Sequence, residues 1–119
     1  MRKIEQQMIA AIQAGQDWKS GNTSVTHDPV VGGSEAEIRL HGNLIAKRFI
    51  GGDWSVSLCG WDTRTTRSRL AAILRTFARN GGKGLGVSSR KTRNGQRIML
   101  HDARGMTEIT IDGWHSVRL

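Results

Sequence analysis

Between Thr63 and His101 the chain carries ten basic residues and no acid: Arg64, Arg67, Arg69, Arg75, Arg79, Lys83, Arg90, Lys91, Arg93 and Arg97. Eight of the ten are Arg. A guanidinium grips phosphate with two parallel hydrogen bonds and stacks on bases, whereas an ammonium acts as a compact point charge. The chemistry this pattern suits is therefore recognition of a polyanion, with nucleic acid the first expectation and an acidic protein surface the second. A charge run is ordinarily just a solvated face. That account weakens when no acid is interleaved.

Other constellations are thinner. Trp61, directly before the basic stretch, is a candidate for stacking on a base beside Arg64 and Arg67, although a Trp plugging the corner between a strand and a helix is the more ordinary role. Gly82-Lys83-Gly84-Leu85-Gly86 lacks the Gly-Lys-Ser/Thr of a phosphate loop and follows a helix rather than a strand. It reads as a flexible connector. His27, His41, His101 and His115 are scattered, with no pair at ligand spacing, and Cys59 is the sole cysteine, so no metal site and no cofactor are expected. Asp28, Glu35 and Glu37 loosely suggest a nuclease cluster, but Glu35 and Glu37 share a strand face with Arg39, where charges are ordinary. Ser88 and Ser89 have no evident base. The expectation is a binding protein, not an enzyme.

The elements that position these residues follow from periodicity. Ile4, Met8, Ala11 and Ile12 recur at helical spacing, predicting a helix over about 2–15 stopped by Gly15. Gln16 to Gly21 reads as a polar linker in which Trp18 packs the helix end onto the domain. The period then changes to alternation. A short strand surrounds Val25, and Asp28-Pro29 and Gly32-Gly33 bracket a loop. Glu35 to His41 has Ala36, Ile38 and Leu40 on one face, and Gly42-Asn43 supplies a hairpin turn. Leu44 to Ile50 returns, and Trp54 to Cys59 alternates again. A second helix starts near Thr63 or Thr66. It carries Leu70, Ile73, Leu74 and Phe77 on one apolar face and stops at Asn80-Gly81-Gly82. On it Arg75 and Arg79 point away from Leu70, and Arg69 lies on a flank. A second hairpin runs from Val87 to Arg93 and Gln96 to His101 around Asn94-Gly95. Arg90 and Lys91 face opposite sides of it, as on an arm reaching into solvent. A last strand, Thr107 to Asp112, turns Ile109 and Ile111 toward the core. The expected fold is α+β: an antiparallel sheet, an N-terminal helix, a second helix packed on the sheet and a C-terminal hairpin or meander, in one domain spanning 1–119.

Length and composition agree. At 119 residues there is room for one core. Hydrophobic content of 37% and charged content of 24% fit a globular chain rather than a disordered one. The net charge of +8 belongs entirely to residues 61–119, since 1–60 hold six basic and six acidic groups. No apolar run approaches the roughly 20 residues of a membrane span. No secretory signal is read at Met1-Arg2-Lys3, and one cysteine suits a reducing cytoplasm.

Two likenesses add to this. Leu40-His41-Gly42-Asn43-Leu44-Ile45-Ala46, the stretch Gly60 to Leu70 and the opening Lys3-Ile4-Glu5-Gln6-Gln7-Met8 together resemble a group of small, uncharacterised bacteriophage proteins. That resemblance covers most of the chain and implies a phage origin and action in the cytoplasm of an infected bacterium. It supplies no activity. Separately, strands followed by a helix from Asn22 to Arg79 look like the order in whirly-type single-stranded DNA-binding folds, which dimerise through helices. The N-terminal helix and C-terminal hairpin depart from that order. The expected function is a small phage nucleic-acid-binding protein that uses phosphate contacts with low base specificity, DNA ahead of RNA, with a homodimer as one arrangement. The alternative is a host-takeover protein that binds a bacterial partner.

Overall fold

The computed structural model describes residues 1–27, 34–79 and 82–119. It opens with α1, Lys3–Ala14, whose stripe of Met8, Ile9, Ala11 and Ile12 is buried. Gly15 adopts the left-handed conformation (φ 67°) and ends the helix, as its position in the sequence predicts.

Five strands follow in a meander: β1 (Trp18–Ser20), β2 (Thr23–Thr26), β3 (Ser34–Leu40), β4 (Asn43–Phe49) and β5 (Trp54–Val56), each antiparallel to the last. β1 lies where a polar linker is expected. Its three residues carry no alternation of their own and are held by pairing with β2. The β3–β4 turn sits on His41-Gly42 (φ 53° and 79°), one residue before the expected Gly42-Asn43, because Leu40 pairs with Asn43. The expected loop at Asp28-Pro29 and Gly32-Gly33 lies outside the described residues.

After α2 (Arg64–Phe77) come β6 (Gly86–Thr92), β7 (Gly95–Asp102) and β8 (Gly105–Ile109), a second antiparallel sheet in sequence order. Here too the turn falls one residue early. Thr92 pairs with Gly95, so Arg93-Asn94 make the turn and Gly95 takes the positive φ of 124° after it. A final strand, β9 (His115–Val117), crosses back to pair with β5 and makes the first sheet six-stranded, β1-β2-β3-β4-β5-β9. This strand is not legible locally, and it explains another departure. Trp54, Ser55, Val56 and Ser57 are all buried rather than alternating, because β5 is an interior strand.

Helix α2 buries Leu70, Ile73 and Leu74 as expected and stops at Phe77, before Asn80 and Gly81, which lie outside the described residues. Gly82 is packed so closely under the helix end that a Cβ would lie 2.4 Å from the Arg75 carbonyl oxygen, which requires glycine there. The Phe77 and Trp54 rings meet at a 39° tilt with centroids 5.2 Å apart, and the Arg48 guanidinium lies 4.9 Å above the Phe77 ring. Buried side chains of α1, α2 and both sheets form one continuous core. The fold is α+β, with two helices and two antiparallel sheets among the described residues.

Candidate nucleic-acid interface

Helix α2 begins at Thr63, whose hydroxyl accepts the Thr66 backbone N–H at 3.1 Å. Of the two starts the sequence offers, Thr63 and Thr66, that selects Thr63 as the cap. Asp62, with its side chain 2% exposed, accepts hydrogen bonds from Arg67 Nη1 and from Ser89 Oγ. It thus ties the start of α2 to β6 and neutralises Arg67 in part. Arg64 stands exposed at the helix start, and Arg75, also exposed, donates from Nε to the Leu85 carbonyl at 2.9 Å.

These three guanidinium-bearing residues line one groove with Arg2, between α1 and α2 and about 820 Å³ in volume. Arg2 escapes a reading based on charge runs because it lies 62 positions from Arg64 and joins it only through helix packing. Glu5 also borders the groove, but its Oε2 is already engaged by Ser68 Oγ at 2.6 Å and Arg69 Nη1 at 2.8 Å.

Arg69 must therefore leave the candidate set. Its side chain is 4% exposed, paired with an equally buried Glu5, and its Nε donates to Thr23 Oγ1 at 3.1 Å. A helix flank is solvated only if nothing packs on it. Here α1 and β2 cover it, and the Arg serves as a bolt between α1, α2 and β2 rather than as a contact for an outside anion.

The β6–β7 hairpin keeps its cations outward. Every residue from Arg90 to Arg97 is exposed, on both faces of the ribbon. Arg90 pairs across with Arg97 and Lys91 with Gln96, so the two cations at 90 and 91 face opposite sides, as alternation requires. Lys91 shares its face with Ser89, which meets Asp62 at the start of α2. Only Arg97 in the arm meets an acid among the described residues, Glu108 at 3.3 Å, and both partners are more than half exposed. Such a pair is worth little in water and yields readily to a phosphate. Arg79 and Lys83 are exposed after the end of α2 and are not part of the groove.

On the other side of the α2 start lies a cavity of about 490 Å³, walled by Leu40, Ile45, Leu58 and Trp61, with His41, Asn43 and Thr65 among its polar lining. Trp61 does not plug the corner. It is 60% exposed. A turn holds it out: Cys59 and Gly60 have successive positive φ of 54° and 79°, the Trp61 N–H bonds the Leu58 carbonyl at 2.9 Å, and the Gly60 N–H bonds Ile111 O at 2.9 Å. His41 and Cys59 are the two non-glycine residues with positive φ among the described residues. One lines this cavity and the other sits in the turn that projects its Trp.

Ser88 Oγ lies 2.8 Å from His101 Nε2 on the open face of the second sheet, a pair hidden in the sequence by 13 residues of separation. No carboxylate hydrogen-bonds His101 among the described residues, so the arrangement lacks the third group that orients a catalytic His. No group of three His, Cys, Asp or Glu close enough to hold a metal occurs among the described residues. Glu35 and Glu37 each face an Arg, Arg48 at 3.9 Å and Arg39 at 3.5 Å.

Residues 1–109 match the model of the Kyanoviridae Gp96 protein family. The chain belongs to the Kyanoviridae Gp96 family, a phage protein family. No curated protein and no solved structure matches it. The Gp96 match runs from α1 to the end of β8, so the groove, the cavity and the arm all lie inside it, and β9 lies beyond it. The likeness of Leu40–Ala46 and Gly60–Leu70 to phage proteins is thereby upheld. No helix among the described residues is long and apolar enough to cross a membrane.

Proposed function

We propose that this Gp96-family protein binds nucleic acid in the cytoplasm of the infected bacterium, through phosphate contacts with little base specificity and without catalysis. The supporting observation is the exposed hairpin arm, where Arg90, Lys91 and Arg93 meet no carboxylate among the described residues. The groove of Arg2, Arg64, Arg67 and Arg75 extends the cationic surface onto the helices. Phosphate contacts from such groups position a strand without reading its sequence.

The test is equilibrium binding of labelled single-stranded DNA, duplex DNA and RNA of equal length at several salt concentrations. The log of the binding constant is expected to fall linearly with log salt, by about 0.7 per phosphate contact on single strands and about 0.9 on duplex. No binding, or binding indifferent to salt, overturns the assignment.

The same arm suits an acidic bacterial protein, the host-takeover alternative. Affinity capture from host lysate after nuclease treatment separates the two. A stoichiometric protein that survives nuclease favours the protein partner.

A further inference from the structure

We infer that the cavity beside Trp61 receives a single unpaired nucleobase, so that the preferred partner is a single strand; this rests on the nucleic-acid assignment above. The volume, about 490 Å³, falls within the range of about 300–1,000 Å³ usual for small-molecule pockets. Its walls suit a flat heterocycle. Leu40, Ile45 and Leu58 supply apolar surface, and Trp61 supplies an aromatic ring. His41, Asn43 and Thr65 place side-chain donors and acceptors on the same lining, where the polar edge of a base would need them.

Position carries the choice of occupant. Residues 63–68 divide between two sides of one helix end: Thr63, Thr65 and Thr66 border the cavity, while Arg64, Arg67 and Ser68 border the cationic groove. The groove and the cavity are thus separated by the first turn of α2, which a strand with its phosphates in the groove would cross to seat a base. A duplex cannot use this site, since its bases are stacked inside and an aromatic platform captures only bases splayed from the strand.

The fold also spends strain here. Non-glycine residues in the left-handed region are uncommon and sterically disfavoured. His41 and Cys59 both adopt it, at the hairpin turn lining the cavity and in the turn carrying Trp61. The Cys59-Gly60 turn is tied to the rest of the fold by the Gly60 N–H, which bonds the Ile111 carbonyl at 2.9 Å. Trp61 is thus held exposed by a rigid corner rather than left out by a loose one.

The experiment compares a single-stranded oligonucleotide with an abasic oligonucleotide of the same length and phosphate number, on the full chain. The wild type is expected to favour the normal strand by about five- to 150-fold, the range of one base stacked on an aromatic side chain. Trp61→Ala should erase that ratio and Trp61→Phe should keep most of it. Because the side chain is mostly exposed, both variants should fold, as far-UV circular dichroism will check. Equal binding of the two strands by the wild type overturns the base pocket and leaves phosphate binding standing. A ratio that survives in Trp61→Ala also overturns it. Failure to bind either strand overturns the nucleic-acid assignment itself, and the pocket with it.

Discussion

Residues 64–75 and 90–97 each carry four cations and no acid, and the fold uses them in opposite ways. On α2, Arg69 is buried against Glu5, Arg67 is held by Asp62 and Arg75 donates to a backbone carbonyl, which leaves Arg64 least committed. On the hairpin, Arg90, Lys91 and Arg93 are exposed and meet no acid among the described residues. The cause is packing. α2 is flanked by α1, β4 and β6, so charges on its flanks must find partners inside the protein. The hairpin tip is exposed on both faces, so water satisfies its charges. A local charge count cannot separate the two cases; the neighbours decide.

Arg69→Ala leaves the Glu5 carboxylate uncompensated among buried groups, and urea unfolding is expected to register a loss of about 3–5 kcal/mol. A loss below about 1 kcal/mol, together with weakened nucleic-acid binding, would return Arg69 to the interface. Replacing both partners, Glu5→Leu with Arg69→Met, should recover most of the stability, since well-packed apolar side chains often replace a buried ion pair without cost.

Asp102 is buried; burial would push its carboxyl upward, but the Arg104 guanidinium and the backbone N–H groups of Arg118 and Arg104 outweigh that and hold it below the usual aspartate range. Its contribution is complete above the unfolded-state pKa of about 3.9 and is lost as pH falls through the lower folded-state value. Asp102→Asn is expected to cost about 1–3 kcal/mol at neutral pH and to flatten the acid limb of stability against pH. An unchanged acid limb would remove Asp102 as an anchor of the β7–β8 turn to the C-terminal segment.

Smaller effects follow at the helix start and the arm. Thr63→Ala removes the cap of α2 and should lower stability by about 1 kcal/mol in thermal unfolding. The triple change of Arg90, Lys91 and Arg93 to Ala should move stability by no more than about 0.5 kcal/mol, as expected for exposed sites. A substantial destabilisation would mean that the arm is bound into the fold.

Much of the architecture was legible in local pattern. The stripe from Met8 to Ile12, the face from Leu70 to Phe77 and the two hairpins appear where periodicity puts them. Both hairpin turns fall one residue earlier than the Gly-containing pair suggests, because strand pairing sets the register and His41 tolerates a positive φ. β1 and β9 were not legible, since three residues hold no period and each is formed by its neighbour. At the interface, the outward arm follows from alternation alone. The burial of Arg69, the entry of Arg2 into the groove and the cavity under Trp61 depend on contacts between residues tens of positions apart. No window along the chain contains them.

The central claim is that the exposed arm cations are the main hold on a polyanion, with the groove extending them and buried Arg69 taking no part. The direct test is the salt dependence of single-stranded DNA binding for the wild type and the Arg90/Lys91/Arg93 to Ala triple variant. The wild type should give a steep linear fall of log affinity with log salt, and the triple variant a slope shallower by about 2, from about 0.7 for each of three lost contacts. An identical slope in the two proteins would contradict the account.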